Sequence, residues 1–179
     1  MKGILLSSAL LLTASVQAQV LTGISSKWSD SFGEWTIYTD NQELEGELRL
    51  RWLSTDNWTE WEYRLGEETG TIRMKWKDNP NEWEVRGNNE VVTMRTVLNG
   101  NFREWRIIGN KNFDWKSRYG NTFDEWAIAS SHLGTFNLLT AWEGNPSDWI
   151  IEDELDESIT LPTKMALVFL SVFFSSPKF

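Results

Sequence analysis

Met165-Ala166-Leu167-Val168-Phe169-Leu170-Ser171-Val172-Phe173-Phe174 forms a nearly uninterrupted apolar run close to the end of the chain. A segment that is apolar on all sides is buried on all sides. About ten residues are too few to cross a bilayer, which takes roughly 20. Most of the preceding sequence alternates apolar with polar residues, as strands do. The sequence therefore predicts a wall of short strands with a hydrophobic segment inside it.

Tryptophan recurs periodically in this chain, which holds 12 Trp among 179 residues. A four-residue motif opens with Phe, Trp or Pro and ends in an acidic residue followed by Trp. It occurs at 32–35, 58–61, 80–83, 102–105, 123–126 and 146–149. The steps between motif Trp residues are 26, 22, 22, 21 and 23 residues. Such a period indicates one supersecondary unit used repeatedly.

Each unit has the pattern of a β-hairpin. An apolar residue follows each motif Trp two positions later: Ile37, Tyr63, Val85, Ile107, Ile128 and Ile151. Turn residues such as Asn88-Asn89 come next. A second alternating strand follows: Leu48/Leu50/Trp52, Ile72/Met74/Trp76, Val92/Met94/Thr96, Phe113/Trp115 and Phe136/Leu138. The units together predict a meander.

The count of strands predicts how this meander closes. Five hairpins, a leading strand near 20–25 and a last strand near 149–152 make twelve strands. Side chains of the wall alone do not fill a barrel of that size. The apolar run, as a helix at about 163–176, is the available filler, although its Val and Phe content also fits a buried strand. We expect an all-β fold: a twelve-stranded antiparallel meander barrel of ~22-residue hairpin repeats, closed around a hydrophobic C-terminal helix.

The polar face of the predicted strands carries patterned charge. First strands of the units present acidic pairs such as Glu60/Glu62, whereas second strands present basic pairs such as Arg73/Lys75. Antiparallel neighbours place these side chains opposite each other, and each exposed pair contributes about 0.2–1 kcal/mol. We interpret this face as a solvated wall whose charges fix the register.

The N-terminal 18 residues predict a signal peptide. Lys2 precedes an apolar core at 4–12, and Val16-Gln17-Ala18 fits a cleavage site after Ala18. The alternative is an N-terminal core helix. We expect residues 19–179 to form a single exported domain, periplasmic or extracellular, with no transmembrane span after signal removal. Without Lys2 the chain carries 16 basic and 26 acidic residues, a net charge of −10. This charge argues against a nucleic-acid partner.

The repeated Trp-x-Ile/Val strands, the segment 147–153 and the terminal run 165–174 resemble the tubby C-terminal, LURP-one-related and phospholipid scramblase-like superfamily. This resemblance covers essentially all of residues 19–179 and implies a twelve-stranded barrel around a C-terminal helix. The basic patch of its phosphoinositide-binding members has no counterpart in this sequence. The acidic segment 152–157 lies where the calcium-linked scramblase members carry one. We carry over the fold and no activity.

The sequence offers little catalytic or cofactor chemistry. It contains no Cys and a single His, His132, in a predicted turn. Zinc, haem and iron–sulfur sites need such ligands, and we expect no cofactor. It lacks the nucleophile elbow, the phosphate loop and the zinc-protease motif. The recurring motif acids are better explained by structure than by catalysis, so we expect no enzyme.

Two groups of residues remain as candidate ligand sites. The acidic cluster of Asp153, Glu154, Asp156 and Glu157 has the oxygen ligands that calcium prefers, and a solvated loop is the alternative. The second group is aromatic and lies near predicted loop ends: Trp28, Trp58 and Trp142. If these Trp residues share a rim, they form a platform on which sugars stack. We expect the six motif Trp residues to lie in the core instead.

Three functions follow in order of preference. The first is a structural or binding module for a protein or lipid-like partner, and it predicts buried motif Trp without an aromatic patch. The second is a carbohydrate-binding module, and it predicts exposed Trp on a shared rim. The third and distant one is a hydrolase, and it predicts two carboxylates about 5–9 Å apart in a cleft.

Overall fold

The computed structural model describes residues 19–52, 57–129 and 131–178, so the predicted signal peptide lies outside the described residues. Twelve strands precede one helix. The strands are β1 (Leu21–Trp28), β2 (Ser31–Thr39), β3 (Glu45–Leu50), β4 (Glu60–Leu65), β5 (Glu68–Trp76), β6 (Asn79–Gly87), β7 (Glu90–Thr96), β8 (Glu104–Ile108), β9 (Asn112–Ser117), β10 (Glu125–Ile128), β11 (Gly134–Trp142) and β12 (Asn145–Leu155). The helix is α1 (Leu161–Ser175).

The strands form the closed antiparallel barrel that the repeat predicts. Consecutive strands pair in sequence order, and β12 pairs with β1 to close the wall. The connections β1/β2, β3/β4, β5/β6, β7/β8, β9/β10 and β11/β12 all lie at one end, which we call the motif end because each leads into a motif Trp. The first and last strands are longer than predicted, because turn-like residues such as Asn145 already pair across the β11/β12 hairpin.

The apolar run is a helix and fills the barrel. Every residue from Leu161 to Phe173 is buried. The helix starts two residues before the predicted position 163, because Pro162 suits the first turn, where no backbone N–H is needed. Phe169 and Phe173 contact the rings of Trp61 and Trp83, with centroids 4.8–6.1 Å apart. The wall and the helix therefore share one aromatic core.

The motif Trp residues close this core at the motif end, and their spacing has a simple cause. Each indole N–H donates to the carbonyl oxygen three residues earlier, at 2.8–3.0 Å. The accepting residues are Phe32, Trp58, Pro80, Phe102, Phe123 and Pro146. The opening residue of the motif thus satisfies the one polar atom of a side chain that is at most 1% exposed.

The opposite end of the barrel holds a buried ion pair that the sequence analysis did not identify. Lys164, in the first turn of α1, donates to Asp153 at 2.7 Å and to the Gln19 carbonyl at 2.9 Å. Both charged side chains are at most 2% exposed. Asp153 also accepts a hydrogen bond from the backbone N–H of Leu21 at 3.0 Å. The pair therefore ties β1, β12 and α1 together where the chain closes on itself.

Candidate functional site

Each hairpin presents at least one large apolar side chain to solvent at the motif end. These side chains, which we call the aromatic belt, are 50–71% exposed: Trp28, Trp52, Trp76, Leu98, Tyr119 and Trp142. The belt residue stands seven positions before the motif Trp in five units and nine positions before it in the second unit. Because β12 pairs with β1, the four Trp residues occupy four successive hairpins: β11/β12, β1/β2, β3/β4 and β5/β6.

Local irregularities turn the belt residues outwards. Register shifts lie between Ser26 and Trp28, between Met74 and Trp76, and between Thr140 and Trp142. Strict alternation would put Met74 and Trp76 on the same, inward face. A bulge adds a residue to one strand and re-aims the side chain that follows it. Trp52 does not follow the alternation of a strand, because β3 ends before it, at Leu50.

Motif glutamates hold three of the indoles in place. Glu34, Glu60 and Glu82 accept the indole N–H of Trp28, Trp52 and Trp76 at 2.8, 3.3 and 2.9 Å. Each such bond crosses a hairpin, from the residue before a motif Trp to the belt residue of the same unit. The belt side chains are thereby oriented before any ligand arrives, which lowers the entropy cost of binding.

The electrostatics of Glu82 show which of its protonation states holds the Trp76 indole. The ammonium of Lys75 donates to Glu82 at 2.6 Å and holds the pKa of that carboxyl below its ordinary value, against the opposing effect of burial. The indole N–H of Trp76 acts in the same direction. Lys75 also stands 5.6 Å from the centre of the Trp76 ring. The carboxylate form of Glu82 is therefore the form that fixes Trp76.

The Trp142 indole differs from the other three. Its motif acid is Asp148, one methylene shorter than Glu, and neither side chain has a hydrogen-bond or ion-pair partner within the described residues. At 71% exposure, Trp142 is the most exposed member of the belt. Its indole N–H and the Asp148 carboxylate are thus both open to a ligand.

Below Trp142 and Trp28, the outer wall at the closure of the barrel carries an apolar row between two acidic residues of β12, Asp148 and Glu152. Pairing places Leu139 opposite Ile150, Ile150 opposite Gly23, and Gly23 opposite Tyr38, all facing outwards. Hydroxyls lie beside this row: Tyr38 and Ser25 are hydrogen-bonded at 2.9 Å. We call this row together with Ser25 the seam face. Ile150 is 46% exposed and Tyr38 is 37% exposed.

The remainder of the wall is charged as predicted. Cross-strand ion pairs run along β3 to β9, for example Arg49 with Glu62 and Lys75 with Glu82, with N···O distances of 2.7 and 2.6 Å. Lys27, the cation nearest the seam face, turns away from it and pairs with Glu47 on β3. The barrel therefore has one side with cross-strand ion pairs and another side with an apolar row flanked by acidic residues, and the belt passes over both.

Two of the three predicted platform residues lie on the same side of the barrel. Trp28 and Trp142 lie on adjacent hairpins above the seam face. Trp58 does not join them: it is partly buried, and its ring lies 5.8 Å from that of Trp61. The expectation of exposure was wrong for Trp58, because it occupies the opening position of the motif, where Phe32, Phe102 and Phe123 also pack on the core.

The four acidic residues predicted to bind calcium point in different directions. Asp153 turns inwards to Lys164, whereas Glu154 accepts from Thr135 on the outer wall at 2.9 Å. Asp156 accepts the backbone N–H of Ser158 at 2.9 Å, and Glu157 is exposed. Within residues 19–52, 57–129 and 131–178, no three His, Cys, Asp or Glu side chains are grouped closely enough to hold a metal ion.

The structure also locates binding candidates that the sequence analysis missed. Trp52 and Trp76 read as ordinary members of alternating strands, yet both are more than half exposed. Their fixed distance before the motif Trp is the signal that identifies them. The lone His132 is exposed before β11, as expected for a turn. In the described part of the chain, α1 is too short to be a membrane-spanning helix, and no other segment qualifies.

Comparisons with protein-family models, with curated proteins and with solved structures find no match to this chain.

Proposed function

We propose that this protein is an exported, non-catalytic carbohydrate-binding module that takes up glycans on its aromatic belt. The observation that carries the proposal is the repetition of one exposed, oriented aromatic or large apolar residue on every hairpin at the motif end. Exposed apolar side chains on successive units form a surface of the kind that marks interaction sites. Export rests on residues 1–18, and the tubby-like relationship rests on the pattern of strands and the terminal helix.

The hydrogen bonds between belt indoles and motif glutamates favour a sugar ligand over the protein or lipid-like partner that was the first preference from the sequence. Hydrogen bonds to Glu34, Glu60 and Glu82 occupy the indole N–H groups and leave ring faces as the contact surface. A rigid aromatic face with neighbouring carboxylates and cations offers both stacking and hydrogen bonding to ring hydroxyls. A repeated platform also suits a ligand that is itself a repeating polymer.

The test is sedimentation of residues 19–179 with insoluble cellulose, chitin, β-1,3-glucan and peptidoglycan. We expect one of these polymers to deplete the protein from solution. The fourfold variant Trp28→Ala/Trp52→Ala/Trp76→Ala/Trp142→Ala should lose at least tenfold in affinity. Val91→Ser, which alters an exposed apolar residue at the opposite end of the barrel, is the matched control and should bind as the parent does.

Three outcomes would contradict the proposal. The first is that no polymer depletes the protein. The second is that the fourfold variant, with parental far-UV circular dichroism, binds as well as the parent. The third is that flotation with phosphatidylcholine vesicles, but no polysaccharide, captures the protein through the belt, which would assign the surface to lipid.

A further inference from the structure

The aromatic belt surrounds the barrel, but its neighbourhood is not the same on all sides. Trp28 and Trp76 form a matched pair: they are 56% and 57% exposed, and their indoles donate to a motif glutamate at 2.8 and 2.9 Å. Trp76 stands over the charged wall, beside Lys75 and Glu82. Trp28 stands over the seam face. Any difference in glycan affinity between these two positions therefore comes from the part of the wall beneath each Trp.

We propose that the glycan is an uncharged polysaccharide and that it is held on the seam face, against Trp28 and Trp142. This inference rests on the proposed function and narrows it to one sector of the belt and one class of glycan. Trp142 and Trp28 supply two stacking faces on neighbouring hairpins. Tyr38 and Ile150 extend the apolar contact down the wall.

Polar groups at the seam face suit hydroxyls rather than anionic substituents. Ser25 and Tyr38 offer hydroxyl groups, and their mutual hydrogen bond can be exchanged for bonds to a sugar. The Asp148 carboxylate and the Trp142 indole N–H have no partner among the described residues, so the first can accept hydrogen bonds from sugar hydroxyls and the second can donate one. Lys27 is already paired with Glu47, so the strands β1, β2, β11 and β12 as described offer no unpaired Lys or Arg to an anionic polymer.

Gly23 shapes this surface. The ring of Tyr38 lies across it, 3.6 Å from the position that a Cβ would take, and that Cβ would also stand 3.0 Å from the Trp149 carbonyl oxygen. The Tyr38 distance is an ordinary van der Waals contact, whereas the carbonyl would have to shift to admit a Cβ. The glycine therefore lets β1 pair closely with β12 beneath the Tyr38 ring.

The decisive experiment compares matched variants by titration calorimetry. The probes are the neutral hexasaccharides of cellulose, β-1,3-glucan, xylan and mannan, with a chitosan hexamer and an oligogalacturonate as cationic and anionic counterparts. We expect one neutral probe to bind best. Trp28→Ala and Ile150→Arg should each weaken its affinity at least tenfold. Ile108→Arg, on the side with ion pairs, should change it less than twofold, and Trp76→Ala should weaken it less than Trp28→Ala does.

The outcomes separate this inference from the proposed function. Equal losses for Trp28→Ala and Trp76→Ala would mean that the whole belt binds, which overturns the seam assignment and leaves the proposed function standing. Stronger binding of the chitosan hexamer or the oligogalacturonate would overturn the uncharged class alone. Absence of binding to every probe, together with failure of the sedimentation test, would overturn both.

Discussion

The acidic residue of the motif has different hydrogen-bond partners in different units, and Glu82 shows its role most clearly. It accepts from Lys75 and from the Trp76 indole, and its pKa lies below the ordinary value because the ionised form is the one that both partners stabilise. A depressed pKa means that the folded state gains from this carboxylate above the pKa of an unfolded glutamate, about 4.3. The gain disappears as the pH falls through the lower, folded value.

We therefore expect the Trp76 side chain to be released only in acid. In protein labelled with 5-fluorotryptophan, the ¹⁹F resonance assigned through Trp76→Phe should titrate with a midpoint below pH 4.3, about the usual pKa of glutamate. Glu82→Gln should abolish that titration. Trp142, whose indole has no carboxylate partner among the described residues, is the internal control. A Trp76 midpoint at or above the ordinary glutamate value would contradict the assignment.

Each buried motif Trp carries one polar atom, an indole N–H that donates to the carbonyl oxygen three residues earlier, and Trp126 also donates to the Ser175 hydroxyl. In the fourth unit, Trp105 donates to Phe102 at 2.9 Å and is fully buried. Trp105→Phe leaves that carbonyl unpaired and opens a cavity, so we expect it to lower the free energy of unfolding by about 2–4 kcal/mol. Trp28→Phe, at an exposed position, should cost less than about 1 kcal/mol.

Urea unfolding followed by circular dichroism measures both changes. Equal losses for the two variants would show that the hydrogen bond and the burial of the motif Trp do not matter, and our explanation of the motif spacing would then fail.

At the scale of elements, the ion pair of Lys164 joins the helix to the strands that close the barrel. Removing one member of a buried pair leaves an uncompensated charge, which costs about 3–5 kcal/mol. We expect Lys164→Met to lower the free energy of unfolding by that amount. Lys116→Met, which breaks an exposed pair with Glu104 whose members are 48% and 38% exposed, should cost less than about 1 kcal/mol.

Urea titrations of the two variants test this difference. If Lys164→Met is as mild as Lys116→Met, the pair is not what fastens the start of α1 to β1 and β12.

The sequence predicts the elements well because their periods are regular. The count of units gives the twelve strands, and the apolar run gives the helix. The outward turn of Trp76 was not predictable from alternation, because the bulge after Met74 inverts the face of the next residue. The role of Asp153 was likewise hidden: an acidic run gives no sign that one member faces inwards, since its partner Lys164 is eleven residues away in another element.

For the whole molecule, closure explains why the ladder of ion pairs is interrupted on one side of the wall. Most cross-strand ion pairs belong to β3 to β9, where acidic residues of one strand face basic residues of the next. The strands that meet at the closure come from the two ends of the chain, and their outward residues Gly23 and Ile150 continue no ladder. The seam face is thus the place where the repeat is interrupted, and a distinct binding surface arises there without altering the core.

The barrel and the helix should be inseparable, because twelve strands enclose more space than their own side chains fill. Residues 19–160, which lack α1, should therefore show no cooperative thermal transition and no near-UV circular dichroism, while exposing apolar surface to a hydrophobic dye. Phe169→Ala, which removes one ring packed on Trp61 and Trp83, is the milder counterpart and should keep the fold at a cost of about 3–5 kcal/mol. A cooperative transition with native near-UV dichroism in the truncated protein would show that the wall is stable when empty. In that case the helix would occupy the barrel without being what holds it together.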